Sequence, residues 1–405
     1  MVRKFHYRYI VAFTCFIIAF FYVGYGNNSA SLYLVPVTSH FNFTRAEFSL
    51  VFSIVSIVGI FANLAFSSLY RRLGINKLVV FGTVLSALGY FVYYKSTKLL
   101  HFYTGAFLFG IGFTYANMLS FSVIVNSWFT ENKGIVFGLI SAGSGFGGSV
   151  MSPIMGYIIS VHSFKTAYLL TFIILSVCVI PTALFIKEND NFEYEGVVDE
   201  VITNRKTTSE LLKEKPVVLG LTVIFLMGFL MAPWLNVVAS HLMDRGFDGM
   251  FASQILSGIL FIMGFSKIIV GSIYDRIGIK GSISICLVSF VFSGFLLLIV
   301  KSKFIAWVFA AFFGISLSAL SVLLPLFTSA IAGEENLNNI IGIASALIAL
   351  GMALGTPLIN ITYDLTGTNN IILFIFTILG IFNMLLTIYV LNKCELEVEL
   401  LEQTN

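Results

Sequence analysis

The chain has 405 residues, of which 58% are hydrophobic and 11% are charged, and its net charge is +3. A soluble globular protein carries about 25% charged residues, so this composition excludes a water-soluble fold. Because the basic residues are scattered between apolar segments, the small positive charge does not favour a nucleic-acid partner. The composition predicts a protein whose apolar surface lies in a lipid bilayer.

Apolar segments of about 20 residues, the length that spans a bilayer as a helix, recur along almost the whole chain. Because these segments are long and continuous rather than short and alternating, they predict helices and not an outer-membrane barrel. The sequence therefore predicts an all-α, multi-pass integral membrane protein. We predict about twelve spans, at residues 9–34, 48–69, 78–95, 101–127, 134–160, 166–186, 216–241, 251–273, 281–300, 304–331, 338–362 and 370–392.

The distribution of Lys and Arg between the loops predicts the orientation. With both termini on one side, that side would hold fifteen of the 23 Lys and Arg residues and the opposite side seven, while Lys267 would lie inside a span. Without the long central loop, which need not obey the rule, the margin falls to ten against seven. We predict cytoplasmic termini and a location in the plasma (inner) membrane.

The chain contains an internal repeat with an offset of 204 residues. "SSLYRRLGIN" at 67–76 and "GSIYDRIGIK" at 271–280 share Ser, Tyr, Arg, Gly and Ile. Agreement of several regions on one offset predicts two homologous halves rather than a chance match. The same offset relates "FGI" at 109–111 to "FGI" at 313–315, Gly138 to Gly342, Gly147 to Gly351 and Pro153 to Pro357.

The repeat predicts two pseudo-symmetric six-helix bundles. We place them at residues 1–186 and 216–393, joined by a cytoplasmic linker at 187–215 and followed by a cytoplasmic tail at 394–405. The linker is charged and lacks periodicity, so we expect it to be solvated, with a short surface helix near Glu210 to Lys215. Many secondary transporters consist of two such halves, with the substrate site between them near the bilayer midplane.

The repeated loop resembles a motif of the major facilitator superfamily, G-x-x-x-D-R-x-G-x-[RK], which follows the second helix. The C-terminal copy matches it at Gly271, Asp275, Arg276, Gly278 and Lys280. The resemblance implies the major facilitator fold. It also implies that the acidic and basic residues latch helix ends at a cytoplasmic gate.

The N-terminal copy of the loop departs from this motif. Arg72, Gly74 and Lys77 remain recognisable, but Ser67 replaces the first glycine and Arg71 replaces the aspartate. The missing aspartate weakens the expectation of a complete latch in this half.

A narrower resemblance points to the monocarboxylate transporters and the related oxalate/formate antiporters. "SWFTENKGIVFGLISAGSGFGGSVMSP" at 127–153 is similar to their fifth-helix signature, in which an aromatic pair and a basic residue precede a Gly-rich helix. "LYLVPVTSHFNFTRAEFSLVFSI" at 32–54 is similar to the stretch between their first two helices. Their eighth helix carries an arginine, four residues before a glycine, that receives a substrate carboxylate. Lys267, four residues before Gly271, occupies that position and matches it in charge only.

Lys267 is also unusual on physical grounds alone. An ammonium in hydrocarbon costs roughly 2.5 to 3.5 kcal/mol on insertion scales, so it indicates a functional site. Gly264 and Gly271 lie about one turn before and after it on the same helical stripe, and we expect them to leave a hollow for an anion. The alternative is that Lys267 extends along the helix to the cytoplasmic interface. The aspartate that precedes the arginine by one turn in the monocarboxylate transporters is Met263 here.

Other polar residues within the spans are candidates for contact with substrate or for interhelical hydrogen bonds. Asn63 is the counterpart of Lys267 under the 204-residue offset. The set of candidate substrate-binding residues is Lys267, Tyr25, Asn28, Asn63, Tyr115, Asn117 and Trp234, and the candidate gating residues are Arg72, Gly74, Gly271, Asp275, Arg276 and Gly278.

Motifs of enzymes and cofactor sites are missing or fail in context. Gly143-x-Gly145-x-x-Gly148 matches a dinucleotide fingerprint, but no strand precedes it, and close helix packing is the better interpretation. The four cysteines follow no metal-ligand or disulfide spacing, and the sequence has no P-loop. We therefore predict no enzyme activity, no cofactor and no metal site.

Two functions remain open on the sequence. The first is transport of a small organic anion, a mono- or dicarboxylate, by alternating access, with the substrate as the counter-ion of Lys267. Because no Asp or Glu lies well inside a predicted span, exchange or uniport is favoured over tight proton symport. The alternative is efflux of an apolar or cationic compound. We expect the protein to function as a monomer.

Overall fold

The computed structural model describes residues 2–129, 133–187, 189 and 207–404, and the side chains of these residues except 2–6, 338 and 395–404. Ten of its helices are long and apolar enough to cross a membrane. Two of them, Arg45–Lys95 and Gly249–Leu298, have 51 and 50 residues. At 1.5 Å per residue each is about 75 Å long, more than twice the hydrocarbon thickness of about 30 Å. Each therefore makes two crossings, which gives twelve in the described part of the chain.

Gly74 and Gly278 separate the two crossings inside these long helices. Their backbone φ angles are +74° and +68°, in the region that only glycine adopts readily. Both are the glycine at the end of the repeated loop motif, 204 residues apart. The conformation of the turn thus explains why both copies of the motif have glycine there.

The twelve crossings are numbered α1 to α12, and each contains one predicted span. No predicted span extends more than two residues beyond its crossing. In chain order, α1 comprises Val2–Ile18, Ala19–Asn28, Ala30–Tyr33 and Leu34–Phe41; Gly74 divides Arg45–Lys95 into α2 and α3; α4 comprises Leu99–Tyr115 and Met118–Trp128; α5 is Lys133–Val161, α6 is Phe164–Phe185 and α7 is Lys215–Asp244; Gly278 divides Gly249–Leu298 into α8 and α9; α10 comprises Lys303–Ser316, Leu317–Leu320 and Leu323–Ala332; α11 is Leu337–Thr366 and α12 is Asn370–Thr404.

The short helix of the linker lies earlier than predicted. It is Thr208–Leu211, and Thr207 and Glu210 form a reciprocal capping box at its start. Lys215 belongs to α7 instead, which begins there with a proline in its first turn. Residues 188 and 190–206 of the predicted linker lie outside the described residues.

Glycines related by the 204-residue offset pack at equivalent places in the two bundles. Gly147 of α5 lies against the backbone of Phe20 in α1, and Gly351 of α11 lies against the backbone of Phe229 in α7. At both positions a Cβ atom would collide with backbone, so the helices approach as closely as they do because both residues lack one. This repetition confirms the prediction of two pseudo-symmetric six-helix bundles. The second such pair is Gly110 against Val55 and Gly314 against Ile259.

The two bundles are joined at one face of the membrane domain. We call the side of the chain ends the terminal face and the opposite side the distal face. At the distal face the Arg45 guanidinium forms a bidentate salt bridge with Asp244, at 2.6 and 2.7 Å. The Tyr363 hydroxyl donates to the same carboxylate at 3.1 Å, and the Tyr363 ring lies 3.7 Å from the guanidinium carbon.

Asp364 adds a second link across the same face. Its carboxylate accepts hydrogen bonds from the backbone N–H groups of Arg45 and Ala46, at 3.2 and 2.7 Å. An acidic side chain from α11 thus caps the first turn of α2, where unpaired N–H groups attract negative charge. We call Arg45, Asp244, Tyr363 and Asp364 the distal latch.

The close contact between the bundles continues along α5 and α8 below the latch. The Ser257 hydroxyl donates to the Ser149 carbonyl at 2.5 Å. One to two turns further from the distal face, Gly145 meets Gly264 so closely that a Cβ on Gly145 would lie 2.6 Å from the Gly264 Cα. The distal half of this interface is therefore tightly packed.

The same helix faces are separated nearer to the terminal face. Gly138 and Gly271 lie two turns from Gly145 and Gly264 on the same stripes, yet a Cβ atom at either would meet no described atom within 4 Å. Gly342 of α11 has the same open surroundings. Among the described residues, the interface between the bundles is thus closed toward the distal face and open toward the terminal face.

Candidate functional site

A cluster of polar side chains joins α1, α5 and α8 in the middle of the molecule. The Lys267 ammonium donates to the Ser144 hydroxyl at 2.9 Å. Asn28 donates to the Ser144 carbonyl at 3.3 Å and accepts from the side-chain amide of Asn27 at 3.2 Å. We call Asn27, Asn28, Ser144 and Lys267 the polar junction. It brings two residues predicted from the sequence, Lys267 and Asn28, to one serine.

The polar junction lies where the opening from the terminal face ends. Gly264, one turn distal to Lys267, is packed against α5, whereas Gly271, one turn toward the terminal face, borders open space. The expectation that both glycines leave a hollow is therefore wrong for Gly264, because Gly145 of the facing helix fills that space. It agrees with the open surroundings of Gly271.

The ammonium of Lys267 points across the interface between the bundles. It is hydrogen-bonded to Ser144, which is buried, so this contact does not fit the alternative in which Lys267 extends to the membrane surface. Lys267 forms no salt bridge with any residue that the structure describes. Its charge thus has one neutral hydrogen-bond partner and one open side.

A second feature is a cavity between the bundles. Seven of its fifteen lining residues are aromatic, and we call it the aromatic cavity. Tyr33 and Tyr168 stack with ring centroids 4.1 Å apart, and the Tyr93 ring packs 5.3 Å from Tyr168. The lining residues are Gly26, Asn27, Ala30, Tyr33, Phe48, Val51, Phe52, Val55, Ser56, Tyr90, Tyr93, Phe109 and Tyr168 from the N-terminal bundle, and Asn236 and Met352 from the C-terminal bundle.

Asn27 connects the two features. It lines the aromatic cavity and also hydrogen-bonds to Asn28 of the polar junction. On the other side of the cavity, Asn236 of α7 donates to the Thr356 hydroxyl of α11 at 3.1 Å. A chain of three hydrogen bonds thus runs from the wall of the cavity to the Lys267 ammonium.

Tyr25 and Tyr115, predicted as substrate-binding residues, lie inside the N-terminal bundle. The Tyr25 hydroxyl hydrogen-bonds to Thr171 at 2.6 Å and to the Met155 sulfur at 3.1 Å, both in its own bundle. Tyr115 is buried beside Phe66, with ring centroids 6.4 Å apart. The structure brings neither residue to the polar junction or to the lining of the aromatic cavity.

The other predicted contacts are also dispersed. Asn117 caps the second part of α4 by accepting from the Met118 N–H at 2.7 Å. Trp234 is buried within the C-terminal bundle beside Phe376, where it lines a second, smaller cavity. Asn63 is exposed on α2.

Known proteins resemble this arrangement in sequence and in fold. The model of the family described as "Major Facilitator Superfamily" matches residues 14–356, which is most of the chain and includes parts of both bundles. The chain belongs to the Major Facilitator Superfamily. The predicted resemblance and fold class are therefore confirmed, and the protein is a membrane transporter rather than an enzyme.

Curated relatives of this superfamily member are named for the transport of acids. Monocarboxylate transporter 12 of Homo sapiens is 24% identical over 373 residues, which covers 84% of this chain and 72% of the relative. Monocarboxylate transporter 12 of Xenopus laevis is 26% identical and covers 83% and 78%. A hexuronate transporter of Bacillus subtilis (strain 168) is 25% identical over 266 residues and covers 60% and 62%.

Solved structures of other transporters have the same fold. The nucleoside transporter NupG superposes with a TM-score of 0.73 at 13% identity, and the match covers 95% of this chain and 98% of NupG. A bacterial homologue of the human lysosomal transporter Spinster, solved in an inward-facing and unoccupied conformation, has a TM-score of 0.70 at 10% identity and coverages of 96% and 93%. At these identities the likeness concerns the fold alone.

The loop motif of the Major Facilitator Superfamily lies at the open face. Arg72, Asp275 and Arg276 are exposed, and none of them forms a salt bridge with a described residue. Gly74 and Gly278 form the turns of this loop, and Gly271 borders the opening. The motif thus does not hold the bundles together in this conformation.

Sequence reasoning missed Ser144 and most of the aromatic cavity. Ser144 lies inside a Gly-rich stretch that reads as helix packing, and its role depends on the distance to a helix more than 100 residues later. Tyr90, Tyr93 and Tyr168 are single aromatic residues among many in α3 and α6. No local pattern distinguishes them from ordinary core residues, so only the packing of the helices identifies them.

Proposed function

We propose that the protein transports a small organic anion, a mono- or dicarboxylate, by alternating access, and that Lys267 binds the carboxylate. The observation that supports this proposal is the position of Lys267 at the closed end of the opening, without a carboxylate partner among the described residues. Because an ammonium inside a membrane domain is costly without a counter-ion, a bound carboxylate would stabilise it. Ser144 would then hold the lysine in place beside the bound anion.

The two faces of the molecule take opposite roles in the proposed cycle. In the present conformation the distal latch is closed and the substrate enters or leaves at the terminal face. In the opposite conformation the distal latch opens, and the loops that carry Arg72, Asp275 and Arg276 come together. Movement of α5 against α8 around the polar junction would connect the two conformations.

The proposed transport is uniport or exchange. The acidic residues of the distal latch, and Asp275 of the loop motif at the terminal face, lie at helix ends. The described part of the chain therefore has no carboxylate beside Lys267 that could carry a proton. The positive charge must therefore be balanced by the substrate in the binding step. An antiporter would load a second anion before it returns to the first face.

The names of the relatives agree with an anionic substrate. Monocarboxylates and hexuronates both carry a carboxylate at neutral pH. We further propose that both termini are cytoplasmic, so that the present opening faces the cytoplasm of the plasma (inner) membrane. The bundle bounds of 1–186 and 216–393, the linker, the tail at 394–405 and a monomeric functional unit belong to the same proposal.

Substitution of Lys267 by glutamine tests this function. Uptake of radiolabelled acetate, pyruvate and succinate is measured in proteoliposomes that contain the full chain. Loss of a charged hydrogen bond of about 1.5–3 kcal/mol corresponds to roughly tenfold to hundredfold weaker binding, so uptake at low substrate concentration should fall accordingly. Undiminished uptake of every anion that the unaltered protein carries would exclude Lys267 as the binding group.

A matched control removes the same charge elsewhere. Lys98 is exposed in the loop between α3 and α4 at the distal face. Lys98→Gln should leave uptake within about twofold of the unaltered protein, because surface charges contribute little. Equal losses for Lys98→Gln and Lys267→Gln would indicate a general effect of net charge rather than a binding site.

The aromatic cavity favours a second candidate, efflux of an apolar or cationic compound. Its lining contains no charged residue. This candidate predicts that ethidium competes for binding and that carboxylates have no effect on it. The same proteoliposomes distinguish the two functions.

A further inference from the structure

We infer that the aromatic cavity binds an aromatic ring of the substrate, so that the transported anion is a monocarboxylate with an aromatic ring. This inference rests on the proposed function and adds the substrate class to it. The carboxylate would lie at the polar junction and the ring in the cavity.

The lining of the cavity has the chemistry of a ring-binding site. Four tyrosines and three phenylalanines are seven of its fifteen lining residues, and the polar side chains besides the tyrosines are Asn27, Ser56 and Asn236. Aromatic rings prefer edge-to-face or offset contact, and the wall already shows both: Tyr90 meets Phe109 at 86°, whereas Tyr33 and Tyr168 stack at 8°. A substrate ring could therefore pack against faces or edges.

Hydrogen bonds from two tyrosine hydroxyls hold the rings of this wall in place. The Tyr90 hydroxyl donates to the Gly26 carbonyl, and the Tyr33 hydroxyl lies 3.4 Å from that of Thr171. These two residues thus contribute mainly ring carbon to the site. A wall that is formed before the ligand arrives lowers the cost of binding.

The position of the cavity suits a ligand with a charged end. Asn27 belongs both to the cavity wall and to the hydrogen-bond chain that ends at Lys267. A single molecule that extends past Asn27 could place its carboxylate at the junction and its ring among the tyrosines. Asn27 would then contact the atoms that connect ring and carboxylate.

The chemistry of the lining argues for more than a short anion. A two- or three-carbon acid at the junction would leave most of the aromatic side chains of the cavity without contact. A ring would pack against them and gain the apolar contact that the short acid lacks.

Four related ligands separate the contribution of the charge from that of the ring. Phenylacetate, phenylacetamide, acetate and acetamide are titrated against the full chain in detergent, and binding is measured from the rise in the thermal unfolding midpoint. We expect phenylacetate to bind at least about tenfold more tightly than acetate and at least about tenfold more tightly than phenylacetamide. Equal binding of phenylacetate and acetate would overturn the ring site and leave the proposed function intact. Equal binding of phenylacetate and phenylacetamide, or no binding by either acid, would overturn the proposed function and this inference with it.

A substitution that fills the cavity tests its location. Ala30 lines the cavity, and Ala30→Phe should reduce the preference for phenylacetate over acetate by at least about fivefold. Ala183→Phe, on the exposed face of α6, is the matched control and should retain the preference. If Ala30→Phe does not fold, Ala30→Leu provides the same test with a smaller side chain. An unchanged preference in a folded Ala30 variant would place the ring elsewhere and overturn the inference.

Discussion

The distal and terminal halves of the α5–α8 interface consist of the same two helices but differ in packing. In the distal half, Gly145 and Gly264 bring the helix backbones into contact, and the distal latch adds a salt bridge above them. In the terminal half, Gly138 and Gly271 lie on the same stripes and border open space. The bundles therefore diverge at Lys267, which lies between the two pairs of glycines.

Small residues therefore permit close helix packing but do not enforce it. All four glycines allow two helices to approach, but in this conformation only one pair is in contact. The terminal pair is available for contact in the opposite conformation of the transport cycle. The following predictions test whether the distal contacts select the present conformation, in order of decreasing effect.

The largest effect is expected from the distal latch. Asp244→Asn leaves the Arg45 guanidinium without its carboxylate, and both side chains are largely buried, at 12% and 20% exposure. We expect the distal-closed conformation to lose about 2–3 kcal/mol, less than for a fully buried pair because both side chains still reach solvent. The change is measured with a cysteine at position 56, introduced as Ser56→Cys in a Cys394→Ser background. Ser56 lines the aromatic cavity, so a maleimide should label this cysteine faster when the distal face opens.

A double-mutant cycle supplies the control for the latch. Arg45→Gln alone should have a similar effect, and the double variant should cost clearly less than the two single effects together, because the two residues form one interaction. Additive effects, or unchanged labelling of Ser56→Cys in Asp244→Asn, would show that the salt bridge does not hold the distal face closed.

A smaller effect is expected from the packed glycines. Gly145→Ala places a methyl group against the Gly264 backbone and should destabilise the present conformation by about 1–2 kcal/mol. Gly138→Ala makes the same change on the same helix in open space, and it should be neutral or stabilising by up to about 1 kcal/mol through helix propensity. Thermal unfolding midpoints of the two variants, measured side by side, check the difference. Equal midpoints would contradict the contrast between the two halves.

The smallest effect on stability is expected at the open face. Asp275 is exposed and forms no salt bridge with a described residue, so Asp275→Asn should change the unfolding free energy by less than about 0.5 kcal/mol. Its effect should appear in transport, because the terminal loops meet only in the opposite conformation. A large loss of thermal stability in this variant would show that Asp275 already supports the present conformation.

Local patterns were sufficient to predict much of the architecture. The apolar spans, the loop motif and the 204-residue offset all depend on residues within one segment or on the comparison of two segments, and the turns at Gly74 and Gly278 follow from the motif. The linker helix lies earlier than predicted, because Thr207 and Glu210 form a capping box at its start. Lys267 was identifiable because a charge in an apolar segment is conspicuous wherever the helix packs.

The surroundings of that lysine were only partly predictable. Asn28 lies at the polar junction, whereas Tyr25, Tyr115 and Trp234 turn into their own bundles, because a mid-helix polar residue can face any of several neighbours. Ser144 and the rings of the aromatic cavity come from helices that are distant in sequence. Their proximity depends on how α1, α3, α5, α6 and α8 pack against one another.

Three properties follow from the amino-acid sequence alone: the protein crosses a membrane about twelve times, its two halves are related, and one cation lies inside a helix. They follow because hydropathy, repetition and charge can be read from single segments or from the comparison of two segments. Which face is closed and what surrounds Lys267 depend instead on how the helices pack. Those properties arise from contacts such as Arg45 with Asp244, Gly145 with Gly264 and Lys267 with Ser144, which join residues more than 100 positions apart. Such contacts have no signature in a local pattern, since each partner is ordinary in its own segment.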